Sequence, residues 1–157
     1  MAKPQYIRTN MAQLIVSTSK KVWNDLIPVL EQKKFFLLNN ANCTRRELFN
    51  FALALGLNEG FTMELEGKND LFRTERIEND RHLYSAVYFN EELDCNSDRI
   101  EEILHDEKVY PCVEQYAETG FSRISDALYN KSEEIFTEEL IKEMNEIYKD
   151  FEEDNLF

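Results

Sequence analysis

The residues most able to ligate a metal or act as nucleophiles are three cysteines and two histidines, and their spacing argues against both roles. Cys43, Cys95 and Cys112 lie far apart, and His82 and His105 each lack a second histidine one helical turn away. A structural zinc site needs close ligand pairs, so no metal site is expected. Separated cysteines in odd number, behind an N-terminus (Met1-Ala2-Lys3-Pro4-Gln5-Tyr6) without a secretory apolar run, fit reduced thiols in a cytoplasm. Glu66-Gly67-Lys68 matches the E-x-K half of a restriction-type nuclease motif. That chemistry needs a second carboxylate on a neighbouring strand to hold Mg²⁺, and no isolated Asp on a plausible strand precedes it. Ser122-Arg123-Ile124-Ser125-Asp126 offers hydroxyls but no nucleophile elbow and no nearby His. The pairs Glu91/Glu92, Glu101/Glu102 and Glu138/Glu139 would do acid–base work only with a raised pKa, and on amphipathic helices such residues face water. No glycine loop able to cradle phosphate is present. The reading is a protein without catalytic residues and without a cofactor.

The elements carrying these residues are mainly helical. With 157 residues, 43% hydrophobic and 31% charged, the chain suffices for one folded domain spanning 1–157. Four Gly and three Pro are too few for a many-stranded sandwich or barrel. The expected class is mostly α, a compact multi-helix bundle with a short β-hairpin around residues 61–78. No apolar run is long enough to cross a bilayer. The aromatic residues, eleven Phe and seven Tyr, fall mostly on apolar stripes and read as core.

Local signals place the helices. Gln13 to Val16 is a short strand or a helix lead-in, and Ser17, Thr18 and Ser19 offer N-cap oxygens. Val22, Trp23, Leu26, Ile27 and Leu30 form one stripe, which Pro28 should kink or break. Phe35 to Leu38 is apolar but too short to classify, and Asn39 to Asn42 reads as a loop. Thr44-Arg45-Arg46-Glu47 is a capping box opening a buried helix from Arg45 to Leu55, with Gly56 as the left-handed stop. Asp80 is expected to cap a helix carrying Leu83, Ala86 and Val87, and Ser97 or Asp98 to cap a short one with Ile100, Ile103 and Leu104. Pro111 fits a first helical turn and Gly120 an end. Thr137 should introduce an amphipathic helix bearing Leu140, Ile141, Met144, Ile147, Tyr148 and Phe151, followed by an acidic tail over 150–157.

Charge is unevenly spread. The net charge is -13, yet residues 1–46 hold eight basic side chains against two acidic ones. The basic set proposed to form a binding surface is Lys20, Lys21, Lys33, Lys34, Arg45 and Arg46. The last two sit in the first turn of the capped helix, where free amides also favour phosphate. The acidic remainder could instead imitate nucleic acid, with Glu139, Glu143 and Glu146 of the last helix presented to a basic protein.

The segment Arg46-Glu47-Leu48-Phe49-Asn50-Phe51-Ala52-Leu53-Ala54-Leu55-Gly56-Leu57-Asn58-Glu59-Gly60 resembles the opening of a small bacterial family, the Dnd-system-associated proteins. These are encoded beside DNA phosphorothioation and restriction genes. Their pattern is a helix of the type D-hydrophobic-F-x-x-A-x-x-L-G followed by a Gly-containing loop. Glu114-Gln115-Tyr116-Ala117-Glu118-Thr119-Gly120-Phe121 is similar to their later E-x-Y-A-x-x-G element, in the same order. The basic residue before Glu47 and the acidic stretch after residue 131 depart from that pattern. The resemblance implies a mostly helical fold and a setting in DNA modification or anti-phage defence, and it transfers no catalytic residue.

The expected function is therefore a non-catalytic accessory protein acting through a protein partner or nucleic acid. The alternative is an acidic DNA mimic, inhibitor or antitoxin-like protein that occupies a basic partner. No membrane partner is expected, and oligomeric state is left open.

Overall fold

The computed structural model describes residues 15–33, 44–74 and 78–154. Its elements in chain order are strand β1 (Ile15–Thr18), a π-helical turn (Val22–Leu26) running into α1 (Ile27–Lys33), α2 (Arg45–Glu59), β2 (Asn69–Arg73) and α3 (Glu78–Glu91). A 3₁₀ segment (Ser97–Leu104), α4 (Asp106–Asn130) and α5 (Glu133–Asp154) complete the series. The fold is mostly α with one small antiparallel sheet. No helix among the described residues is long and apolar enough to cross a membrane. Cys43, Lys34, Phe35 to Leu38 and Asn39 to Asn42 lie outside the described residues.

The centre is the crossing of α2 and α4, where the backbones approach without side chains between them. A Cβ on Gly56 would lie 1.7 Å from the carbonyl oxygen of Tyr116, and one on Gly120 would lie 1.7 Å from that of Ala52. Both glycines are needed for close approach. This corrects the reading of Gly56 and Gly120 as helix stops. α2 continues to Glu59, and Gly60, with φ +78°, is the left-handed residue that ends it, its N–H donating to the Gly56 carbonyl at 3.1 Å. Gly120 lies well inside α4. Residues 46–60 and 114–121 meet at this crossing.

Phe49 is fully buried at its flank, with ring centroids 5.6 Å from Phe72, 5.9 Å from Tyr84 and 6.4 Å from Phe121. It thereby joins α2 to β2, α3 and α4. The hydroxyls of this aromatic cluster are satisfied, Tyr84 donating to Asn50 Oδ1 at 2.7 Å and Tyr110 pairing with Thr74 at 3.1 Å. Burial pushes the Tyr84 phenol far above its ordinary range.

The strand expected within 61–78 is β2, and it pairs with β1. Ile15 faces Arg73, Val16 faces Phe72, Ser17 faces Asp70 and Thr18 faces Asn69, with a bulge between Val16 and Ser17. The bulge leaves Leu71 out of register, and Leu71 is buried.

Other boundaries follow hydrogen bonds that the sequence pattern does not resolve. Ser17 and Thr18 belong to the strand, and Ser19 alone caps, its Oγ accepting from Val22 N–H at 3.2 Å. Pro28 does not break the helix, because the π-helical turn lies immediately before it. Asp80 is the third residue of α3, not its cap. Asn96 caps the 3₁₀ segment by accepting from Asp98 N–H at 3.0 Å. α4 begins at Asp106, so Pro111 lies past its first turn. Ser132 accepts from Ile135 N–H at 3.2 Å ahead of α5, while Thr137 donates back to the Glu133 carbonyl within it. Residues 150–154 continue α5.

The capping box of α2 is present in full. Thr44 Oγ1 accepts from Glu47 N–H at 3.2 Å, and Glu47 Oε2 accepts from Thr44 N–H at 2.8 Å. Thr44→Ala is expected to lower stability by about 1 kcal/mol, read as a lower urea midpoint at unchanged slope. An unchanged midpoint would show that the box contributes nothing.

Candidate functional site

Two regions of the surface stand out, and the basic residues singled out in the sequence are the first to locate. Lys20 and Lys21 are exposed where the first helical segment begins. Lys33 is the last residue of α1, and Lys34 lies outside the described residues. Arg45 donates from Nε to Glu31 at 2.9 Å and lays its guanidinium 4.7 Å from the Trp23 ring centroid, which ties α2 to the first helical segment. Arg46 makes a two-pronged pair with buried Asp80, donating from Nε and, at 2.8 Å, from Nη2. That bond holds the Arg46 guanidinium above its ordinary pKa. Both arginines therefore have carboxylate partners from this chain. The end of α2 where a phosphate was expected already carries the Glu47 carboxylate at the Thr44 amide.

The motif Glu66-Gly67-Lys68 is not assembled as a metal centre. Lys68 pairs with Glu114 at 3.4 Å, and no acidic, Cys or His cluster suited to a metal occurs among the described residues. Cys95 is exposed, and Cys112 is buried, its thiol pushed up to about 12 by burial. Phenol and guanidinium hold Glu102 instead in its charged form. Arg99 grips it at 2.8 and 3.1 Å and Tyr88 donates to it, which brings its pKa down to about 2.

The first notable region is α5. Its N-terminal half is fastened to the body by buried Phe136 and Leu140 and by ion pairs. Arg123 bridges Glu143 and Glu59, the latter at 3.1 Å, and Lys131 meets Glu139 at 2.7 Å. Glu143 also accepts from Asn58 at 3.0 Å. Two of the three glutamates first considered for a partner, Glu139 and Glu143, thus help hold α5, while Glu146 is exposed. From Met144 to Asp154 every side chain described is exposed, and the helix runs on past the body. The apolar face that docks through Phe136 and Leu140 continues as Ile141, Met144, Ile147 and Tyr148, each more than half exposed. Around it α5 carries ten acidic side chains against two basic ones.

The second region is a pair of buried glutamates one turn apart on α4, beneath β1. Glu114 Oε2 accepts from Ser17 N–H at 2.7 Å, and Glu118 Oε2 from Ser19 N–H at 3.4 Å. Glu114 takes a backbone donor of β1, and Glu118 one from the residue that follows it. An i, i+4 pair of glutamates inside an otherwise apolar stretch was the available signal, and the alternation of strand amides that pairs with it was not visible.

Burial raises both glutamate pKa values above the ordinary 4.5, against the pull of the hydrogen bonds. The unfolded chain therefore ionises them at lower pH than the folded one does. Their contribution to stability is full below about 4.5 and falls as pH rises through the folded values. Between pH 7 and about 5, acidification should raise the urea midpoint, and the Glu114→Gln, Glu118→Gln variant should flatten that rise. An identical slope in the variant would remove these two groups as its source.

Fold and surface together define a mostly helical protein whose acidic helix α5 is, among the described residues, partly uncovered. No family model matches the chain, and searches of curated proteins and of solved structures return no match.

Proposed function

We propose that this is a non-catalytic binding protein that engages a basic partner protein through α5. The observation that carries this reading is the apolar face of α5 running beyond the body, exposed and, among the described residues, uncovered. Helices draw most of their stability from packing an amphipathic face, so a projecting one of this kind suits docking. Its rim of carboxylates selects a partner of opposite charge and speeds encounter. A second copy of the chain fits poorly, because face-to-face pairing would align like-charged rims. The resemblance to Dnd-associated proteins suggests a setting, since proteins of DNA-modification and defence systems that hold nucleic acid carry basic surfaces. In that setting α5 would occupy or recruit such a protein.

A photo-crosslinking residue at position 144 in cells tests the reading. The expected product is a single dominant adduct with a protein bearing a basic surface. The purified pair should weaken as salt rises and should be lost with Met144→Glu, Ile147→Glu. These positions are exposed, so the double variant should keep its helical circular dichroism. A pair that survives the double variant, or a crosslink only to a second copy of this chain, would overturn the proposal.

A further inference from the structure

The two buried glutamates of α4 differ in one respect. Glu114 has a cation at ion-pair distance in Lys68, whereas Glu118 forms no ion pair among the described residues, although only 8% of it is exposed. A buried carboxylate is normally matched by a cation. Glu118 instead lines a half-open groove of about 320 Å³ between the π-helical turn, the loop after α2 and α4. Met63 and Tyr129 give this groove an apolar and an aromatic wall above buried Phe121, and Asp25 and Asp126 add negative charge. Lys21 also borders it, near enough to favour the charged form of Glu118 yet itself exposed. No residue of α5 lines it.

We propose that this groove binds a small primary amine on an apolar stem, with Glu118 as counter-ion to the ammonium. The carboxylate supplies the missing charge partner. Met63 and Tyr129 take the stem, and Tyr129 can also face the cation. The groove is large enough for a ligand of roughly ten heavy atoms, in the lower size range of small-molecule sites. Lys21 acts as a stand-in that the ligand displaces toward water.

The test is a titration of ¹⁵N-labelled full-length protein with 4-phenylbutylamine, following the amides of Ser19, Glu118 and Ser122, with 4-phenylbutanol as the neutral control. The amine should give saturable shifts at these amides and the alcohol much smaller ones. Glu118→Gln should weaken amine binding about tenfold or more. Lys21→Ala should strengthen it severalfold by removing a competing cation. Ser122→Trp, at an exposed position on the rim, should block the groove without touching the core and serves if Glu118→Gln fails to fold. A lysine side chain carries the same group, so a capped lysyl tripeptide is titrated in parallel. Tighter binding of the tripeptide places the source on a protein, tighter binding of the free amine places it among small metabolites, and either upholds the site. Equal shifts with amine and alcohol, unchanged amine binding in Glu118→Gln, or unchanged binding in Ser122→Trp would overturn it.

Discussion

Replacing Gly120 by alanine is expected to cost about 3 kcal/mol or more, the upper end of what overpacking usually does. The added methyl would sit 1.7 Å from the Ala52 carbonyl oxygen, 2.4 Å from its carbon and 2.8 Å from its Cα. These are backbone atoms of a buried helix, so no rotamer change relieves the overlap, and Ala52→Gly would not rescue it. Either α2 and α4 separate along their length or the chain fails to fold. Helix propensity alone predicts the opposite sign, since alanine in a helix is favoured over glycine by about 1 kcal/mol. The two arguments are therefore separable by one thermal melt. A fall in Tm of about 10 °C is expected for a domain of this size. Gly56→Ala should behave in the same way, its methyl meeting the Tyr116 carbonyl. A stabilised Gly120→Ala protein would mean that the crossing is looser than described.

Phe49→Ala is the second large effect, at about 3–5 kcal/mol. The ring is fully buried and touches aromatic neighbours on β2, α3 and α4, so its removal opens a cavity where these three elements meet α2. Edge-to-face pairs add about 0.5–1.5 kcal/mol each beyond area burial, which favours the upper part of the range. Phe49→Leu keeps most of the volume and should cost about 1.5 kcal/mol. Urea denaturation followed by the single tryptophan, Trp23, which packs against the core, reports both. Equal midpoints for the two variants would show that volume and ring geometry at this position do not matter.

These two positions show what could be read in advance. The helix from Arg45 was legible because its signals are local. Thr44 and Glu47 are three residues apart, and the apolar positions Leu48, Phe49, Ala52 and Leu53 repeat at helical spacing; all four are buried. Its glycine was misread for the same reason. A glycine after an apolar stripe has two uses, a left-handed cap or a close approach, and only the partner helix decides between them. Gly60 has the positive φ, and Gly56 has the neighbour.

The surface was legible in part. The amphipathic stripe of the last helix was plain, but its projection past the body depends on where α4 ends and how α5 turns back, which Arg123 and Lys131 fix through distant carboxylates. Arg45 and Arg46 looked like an open positive pair because Glu31 and Asp80, which take their charge, lie 14 and 34 positions away. Sequence distance hides such pairs, whereas folding makes them first neighbours.

The tether between Ser17 and Glu114 spans 97 positions, and the α2–α4 crossing is also made by segments far apart in the chain. Synthesis runs from the N-terminus, so β1 and the largely buried α2 leave the ribosome well before the helix that receives them. A nascent chain stopped short of Gly120 carries Phe49, Leu53 and Leu48 without their cover. Closure of so long a loop slows folding more than it weakens the finished structure. Chains truncated before α4 should accordingly bind holdase chaperones, and the full-length protein should acquire protease resistance only once α4 has emerged.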